Sequence, residues 1–173
     1  MMRSACNIES LFAGVAHEAL HCEDGPYEVN ALEFSSRDVK PGALFFCVPG
    51  TVVDGHDFAA DALEHGAVGL VVERQLKIDA PQFLVEDARA ALALCSANFY
   101  DSPSRKLDVV GITGTNGKTT TCFLVEHLLR HAGMRAGLIG TVECHVADEI
   151  YPSAHTTPES RDFQELLARM VDA

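Results

Sequence analysis

Positive charge is scarce in this chain: 13 Lys and Arg stand against 25 Asp and Glu, a formal net charge of −12. A protein that grips a nucleic-acid backbone broadly needs the opposite balance, so nucleic acid is not an expected partner. The deficit does not exclude a small anionic ligand, because a few backbone N–H groups and one lysine can bind phosphate locally. No apolar run is long enough to span a membrane, which argues against membrane insertion. The N-terminal stretch MMRSACNIESLFAGVAHEAL carries Glu9 and Glu18 across its apolar part, unlike a secretory leader. The six cysteines, at positions 6, 22, 47, 95, 122 and 144, include no C-x-x-C pair. Most sit among apolar residues, as small core residues do, and they read as reduced thiols of a cytoplasmic protein. Internal repeats and low-complexity tracts are also missing. What remains is a globular composition, 47% hydrophobic and 22% charged, over 173 residues, enough for one domain and part of another.

The first ~105 residues read as one α/β unit. YEVNALEFSS at 27–36 has strand composition, KPG at 40–42 is a turn, and ALFFCV at 43–48 is a buried-strand candidate. HDFAADALEHG at 56–66 is helical, with Gly66 suited to the position after its end. VGLVVE at 68–73 and QFLVE at 82–86 are further strands, and Asp87 is placed to cap the helix DARAALALCSANFY. DSPSRKLD at 101–108 is the best linker, giving expected domains 1–105 and 106–173. Then come a strand at 108–112, a glycine-rich loop and a helix from about Thr119 to Ala132. Cys122, Val125, Leu128, Leu129 and Ala132, spaced three or four apart, form the face that helix is expected to bury, and Gly133 stops it. RAGLIGTVECHV gives one or two strands, and Thr157-Pro158-Glu159 suggests a final helix with threonine as N-cap and proline at its first position. A strand, loop, helix and strand in that order begin a parallel α/β domain. Such a sheet has more strands than follow here, so residues 106–173 are expected to be a truncated start, with edges able to pair with another copy.

The loop GITGTNGKTTT, residues 111–121, carries the chemistry. The pattern G-x-x-x-x-G-K-[ST] is met at Gly117, Lys118 and Thr119 but not at its first glycine, where Ile112 stands. The physics survives the mismatch. Glycines let the backbone curl so that N–H groups converge on an anion, and the following helix aims its N-terminus at the same point. Lys118 supplies charge toward the β/γ-phosphates and Thr119 a hydroxyl for Mg²⁺. His17, His21 and Cys22, and again His127 and His131, have spacings compatible with metal binding on a helix, but no third ligand is placed, and solvated faces are the default. In Glu143-Cys144-His145 a strand would send cysteine and histidine to opposite faces, so the triplet reads as structural.

TGTNGKTTT closely resembles the ATP-binding loop of the Mur ligases, which build the peptide of bacterial peptidoglycan; folylpolyglutamate and cyanophycin synthetases share the form. Two further stretches narrow the likeness to the MurE branch. SSRDVKPGALFFCVPGTVVDGHDFAADALEHGAVGLVVE at 35–73 resembles its uridine-nucleotide-binding domain, with Ser35 in place of the usual aspartate and Cys47 in place of alanine. HTTPES at 155–160 resembles the segment that meets the muramoyl-dipeptide part of the substrate. The resemblance implies an ATP-binding set of Gly114, Thr115, Asn116, Gly117, Lys118, Thr119 and Thr120. It implies contacts to the UDP-MurNAc-dipeptide from Phe34, Ser36, Thr51, Val52, Val53, His155, Thr156 and Thr157.

It implies, too, the reaction. An ATP- and Mg²⁺-dependent ligase converts the free carboxylate of UDP-N-acetylmuramoyl-L-alanyl-D-glutamate to an acyl phosphate, and the amine of a diamino acid, meso-diaminopimelate or L-lysine, displaces phosphate. Two anions must meet, so cation placement is the main task, and Lys118 and Thr119 are the expected catalytic groups. The family's acidic metal ligand, carbamylated lysine and amino-acid-binding domain have no counterpart in these 173 residues, so the chain alone is expected to be inactive. The full-length enzyme is expected to be a cytoplasmic monomer. A uridine-nucleotide-binding module without catalysis, or another Mur or cyanophycin-type ligase, stays open at this point.

Overall fold

Ala43–Phe46 is the centre of the first unit, and all four residues are buried. A strand reads this way when both sheet faces are covered, as parallel sheets require. In the computed structural model, which describes residues 6–22, 27–153 and 158–173, the chain divides into two compact units, one ending at Asp101 and one starting at Ser102. The fold class is α/β.

The first unit opens with β1 (Cys6–Asn7), α1 (Ile8–Leu11), β2 (Glu18–Leu20), β3 (Glu28–Val29), β4 (Ala31–Glu33) and β5 (Ala43–Phe46). A 3₁₀ turn at Gly55–Phe58 leads into α2 (Ala59–Glu64), then β6 (Gly69–Val72), β7 (Gln82–Leu84) and α3 (Ala88–Phe99). The main sheet has the order β2-β7-β6-β5-β4. The four strands β4 to β7 are parallel, and β2 closes the β7 edge antiparallel, with Ala19 opposite Phe83. Alternation divides β5 between two cores. Phe45 faces a cluster that includes Val39, Ala59, Ala62, Leu70 and Val72, the side covered by α2. Leu44 and Phe46 point the other way, and α3 packs on β5. Asp87 caps α3 as its position suggests, its carboxylate accepting from Ala90 N at 2.8 Å. Gly66 follows α2 with φ +99°, the left-handed conformation that ends a helix. His17 and His21 do not share a helix: residues 18–20 are strand, and the His17 ring packs tilted against Phe12, 4.4 Å between ring centroids.

The second unit holds a 3₁₀ turn at Pro103–Lys106, α4 (Lys118–His131), β8 (Leu138–Ile139), β9 (Glu143–Val146), β10 (Glu149–Pro152) and α5 (Ser160–Asp172). Two local readings change. The segment 108–112 pairs with no described strand, and Val110 is 70% exposed; strand composition makes a strand only where a neighbour supplies the ladder. The pairing that does occur here is antiparallel, in the order β10-β9-β8. Likewise α5 starts later than expected: its N-cap is Glu159, whose carboxylate accepts from Ser160 N, and Pro158 lies outside the helix. Glu159 itself is extended, at φ −63° and ψ 157°, which is the backbone of an N-cap and not of a first helical turn. Thr157, the expected cap, lies outside the described residues.

Candidate functional site

The glycine loop delivers its helix as the sequence suggests. Gly117 is the N-cap of α4 with φ +77°, a conformation costly for any residue with a Cβ, and no side chain caps the helix. The first bond back into the loop is Thr121 N to Gly117 O at 2.9 Å. The N–H groups of residues 118 to 120 therefore precede the helix ladder and converge at the positive end of the dipole. Lys118 donates through Nζ to the Gly114 carbonyl, folding its charge across the loop. Thr121 uses its hydroxyl on the Gly117 carbonyl at 2.9 Å, which leaves Thr119 and Thr120 as the hydroxyls on the groove side. Residues 114–117 are exposed, so a ligand could approach the backbone directly.

From Thr119 and Thr120 an open groove of about 670 Å³ runs along α4 past Phe123 and Glu126 to His145. At its floor lies a charged cluster that sequence reasoning passed over. Glu126, not the apolar set, is the buried residue of α4. Its carboxylate accepts from His145 Nδ1 at 2.7 Å and pairs with Arg130 at 3.0 Å. The other ring nitrogen of His145 meets Glu143 Oε1 at 2.9 Å. Burial alone would lower the pKa of His145; hydrogen bonds to Glu143 and Glu126, and their charges, outweigh it and raise it. With both nitrogens facing carboxylates, the imidazolium is the matching form. Cys144 is buried, and the strand alternation that separates it from His145 leaves no thiol–imidazole pair.

In the first unit, the residues expected to meet a uridine nucleotide lie in loops that follow neighbouring parallel strands. Phe34 and Ser36 follow β4; Thr51, Val52 and Val53 follow β5. Carboxyl ends of parallel strands are where α/β sheets bind ligands. Ser36 is buried and Phe34 half-buried, whereas Val52 is 92% exposed at the tip of its turn. Gly50 N donates to Val53 O at 2.9 Å and closes that turn. Directly behind it sits a network that the sequence reading did not single out. Asp54 accepts from the His56 backbone N–H at 3.0 Å and from His56 Nδ1 at 2.6 Å, and pairs with Arg74 at 2.8 Å. The two His56 bonds, then Arg74, hold the Asp54 carboxyl far below the usual carboxylate range against an opposing effect of burial. The only sequence signal was Asp-Gly-His itself, in which Gly55 lies so close to Val48 that an added Cβ would meet backbone at 2.6 Å.

All six cysteines are free thiols. Burial pushes Cys47 and Cys95 up to about 12, so neither is a nucleophile at neutral pH. His155, Thr156 and Thr157 lie outside the described residues. No helix among the described residues is long and apolar enough to cross a membrane.

Two family models match the sequence. One, described as the Mur ligase family catalytic domain, covers residues 28–100; the other, the Mur ligase middle domain, covers 112–173. Among curated proteins, the chain is similar to the UDP-N-acetylmuramoyl-L-alanyl-D-glutamate–2,6-diaminopimelate ligase of Geobacillus thermodenitrificans, 49% identical over 148 residues. That match covers 86% of this chain and 30% of the relative. The ligase of the same name from Listeria monocytogenes is 43% identical over 161 residues, 93% of this chain and 31% of its own. The chain thus spans about 30% of the length of the curated relatives it matches. Among solved structures, MurF from Acinetobacter baumannii shares the fold, with TM-score 0.66 and 20% identity over 98% of this chain and 34% of that one. MurF ligase from Thermotoga maritima in complex with ADP gives TM-score 0.53 and 28% identity over 79% of this chain and 28% of that one.

Proposed function

The chain belongs to the Mur ligase family, and from that membership we propose that it carries the uridine-substrate-binding and ATP-binding parts of a ligase that adds a diamino acid to UDP-N-acetylmuramoyl-L-alanyl-D-glutamate. Residues 1–105 are the substrate domain in this reading and 106–173 the start of the ATP-binding domain. The observation that carries the nucleotide half is the uncapped start of α4 behind Gly117. An open set of N–H donors, an adjacent lysine and two threonine hydroxyls fit a polyphosphate and its Mg²⁺. The ADP complex of the Thermotoga relative supports the same class of ligand.

Gly114, Thr115, Asn116 and Gly117 would cradle the phosphates through backbone N–H groups, with Thr120 beside them. Lys118 would leave the Gly114 carbonyl to meet the phosphate charge, and Thr119 would offer its hydroxyl to Mg²⁺. ATP supplies the phosphoryl group that makes the glutamate carboxylate a competent acceptor for the amine. Because that step joins two anions, the cation at Lys118 is the chain's own main contribution to it. Phe34, Ser36 and the turn Thr51–Val53 would hold the uridine end, with His155, Thr156 and Thr157 at the sugar–peptide part. Binding energy gathered far from the reacting carboxylate is then available to position it.

Calorimetry with two ligands and two variants tests both halves. The 173-residue chain should bind ADP with Mg²⁺ and, separately, UDP-N-acetylmuramoyl-L-alanyl-D-glutamate. Lys118→Ala should weaken ADP binding by at least about tenfold, as loss of a charge-assisted contact does, and leave the uridine ligand unaffected. Ser36→Ala should do the reverse. A chain that binds neither ligand, or variants whose effects fall on the wrong ligand, would overturn the assignment.

A further inference from the structure

We propose that Asp54, His56 and Arg74 form a brace that holds the turn Gly50–Val53 in its ligand-receiving shape, making them positioning residues for the uridine end of the substrate. The inference rests on reading that turn as uridine-binding. The turn has little to hold itself. Its tip is exposed, so apolar burial does not anchor it, and internally it has the Gly50–Val53 bond and a bridge between Pro49 and Asp54. What fixes it is the residue at its base. One Asp54 oxygen takes both His56 bonds and the other takes Arg74.

His56 makes the brace rigid. Its side chain is fully buried, and its Nε2 accepts from the Glu73 backbone N–H at 2.9 Å. A backbone amide can only donate, so Nε2 carries the lone pair and Nδ1 carries the proton directed at Asp54. The ring has one tautomer and one orientation, set from both sides. Glu73 extends the chain of bonds, its carboxylate accepting from Ala88 N, the first residue of α3, at 2.8 Å. The turn after β5 is thereby tied to the end of β6 and the start of α3. A hydrophobic filler at His56 would pack the same space without transmitting that order. A loop held this way loses less entropy when a ligand arrives, which is the advantage of preorganisation.

The test uses the whole chain, with UDP-N-acetylmuramoyl-L-alanyl-D-glutamate as probe and amide hydrogen exchange as a second readout. Asp54→Asn should weaken binding about tenfold and Arg74→Gln less, in the range set by ordering a loop and a few side chains. Exchange at Gly50 and Gly55 should quicken in both variants without ligand, while Cys47 and Leu70, bonded within the sheet to Val71 and Pro81, stay protected. Unchanged affinity with unchanged exchange at Gly50 and Gly55 would overturn the brace. Lost protection at Cys47 and Leu70 as well would overturn it too, since the residues would then be holding the sheet. A wild-type chain that fails to bind the probe would overturn the uridine reading beneath it, and the positioning role with it.

Discussion

The two units use similar residues to opposite effect. In the first, β5 and β6 are buried on both faces, and helices cover the sheet. In the second, α4 carries an apolar set at the right spacing, yet Leu128 is 65% exposed and the buried residue is Glu126. The first unit is held by packing and keeps its polar network in the loops at the carboxyl ends of β5 and β6. The second places a charged cluster at the point where α4 meets the hairpin of β9 and β10. Amphipathic spacing says which face of a helix can be buried; what buries it depends on strands elsewhere.

Breaking packing should separate the units most sharply. Phe45→Ala should cost the first unit about 3–5 kcal/mol, as large-to-small changes in a close-packed core do. Leu128→Ala in the second should stay within about 0.5 kcal/mol, the usual range for an exposed position. Urea unfolding followed by hydrogen exchange with peptide resolution reads both units in one experiment. Equal losses would mean that the apolar face of α4 is covered in solution.

The same contrast marks what the sequence could reveal. The strands at 43–48, 68–73 and 82–86 and the Asp87 cap were legible because each signal is local: an apolar run, a turn on either side, a carboxylate before a helix. So was the glycine loop, since its curl depends on its own residues. The segment 108–112 was not, because Val109 and Val110 need a partner strand that their own composition cannot supply. Strand β10 was missed for the same reason; EIYP becomes a strand only by pairing with β9. The Glu126–His145 contact joins residues nineteen apart through tertiary structure, and nothing in either segment announces the other. In the first unit, the Asp54–Arg74 pair spans twenty residues and was equally silent.

Titration should split the units in opposite directions. His145 has a raised pKa in the folded state, so its contribution is complete below the unfolded value of 6.5 and is lost as pH rises through the folded one. Asp54 has a lowered pKa, so its contribution is complete above 3.8 and is lost as pH falls. The second unit should therefore weaken on the alkaline side and the turn region of the first on the acid side. Glu126→Gln sharpens this further. It leaves His145 with one carboxylate and the half-exposed Arg130 with its two backbone carbonyls, costs about 1–2 kcal/mol, and shrinks the alkaline loss. Urea titrations at a series of pH values would show it, and an unchanged pH profile in the variant would remove Glu126 as a source of the His145 shift.

One further change should be a modest gain, and it isolates backbone from charge in the second unit. Ala147 is the first of two loop residues between β9 and β10 and has φ +52°, a left-handed conformation that costs a residue with a Cβ about 1–2 kcal/mol. Two-residue hairpin loops favour glycine at such a position. Ala147→Gly relieves that cost but gives the unfolded chain more freedom, an offset of about 0.4–1 kcal/mol. The net should be a stabilisation of about 0.5–1 kcal/mol. Its carbonyl, which accepts from Arg130 at 2.9 Å, belongs to the backbone and survives the change. The gain should therefore be the same at every pH, whereas the His145 contribution is not. A gain that varied with pH would show that the turn and the charged cluster are one coupled element.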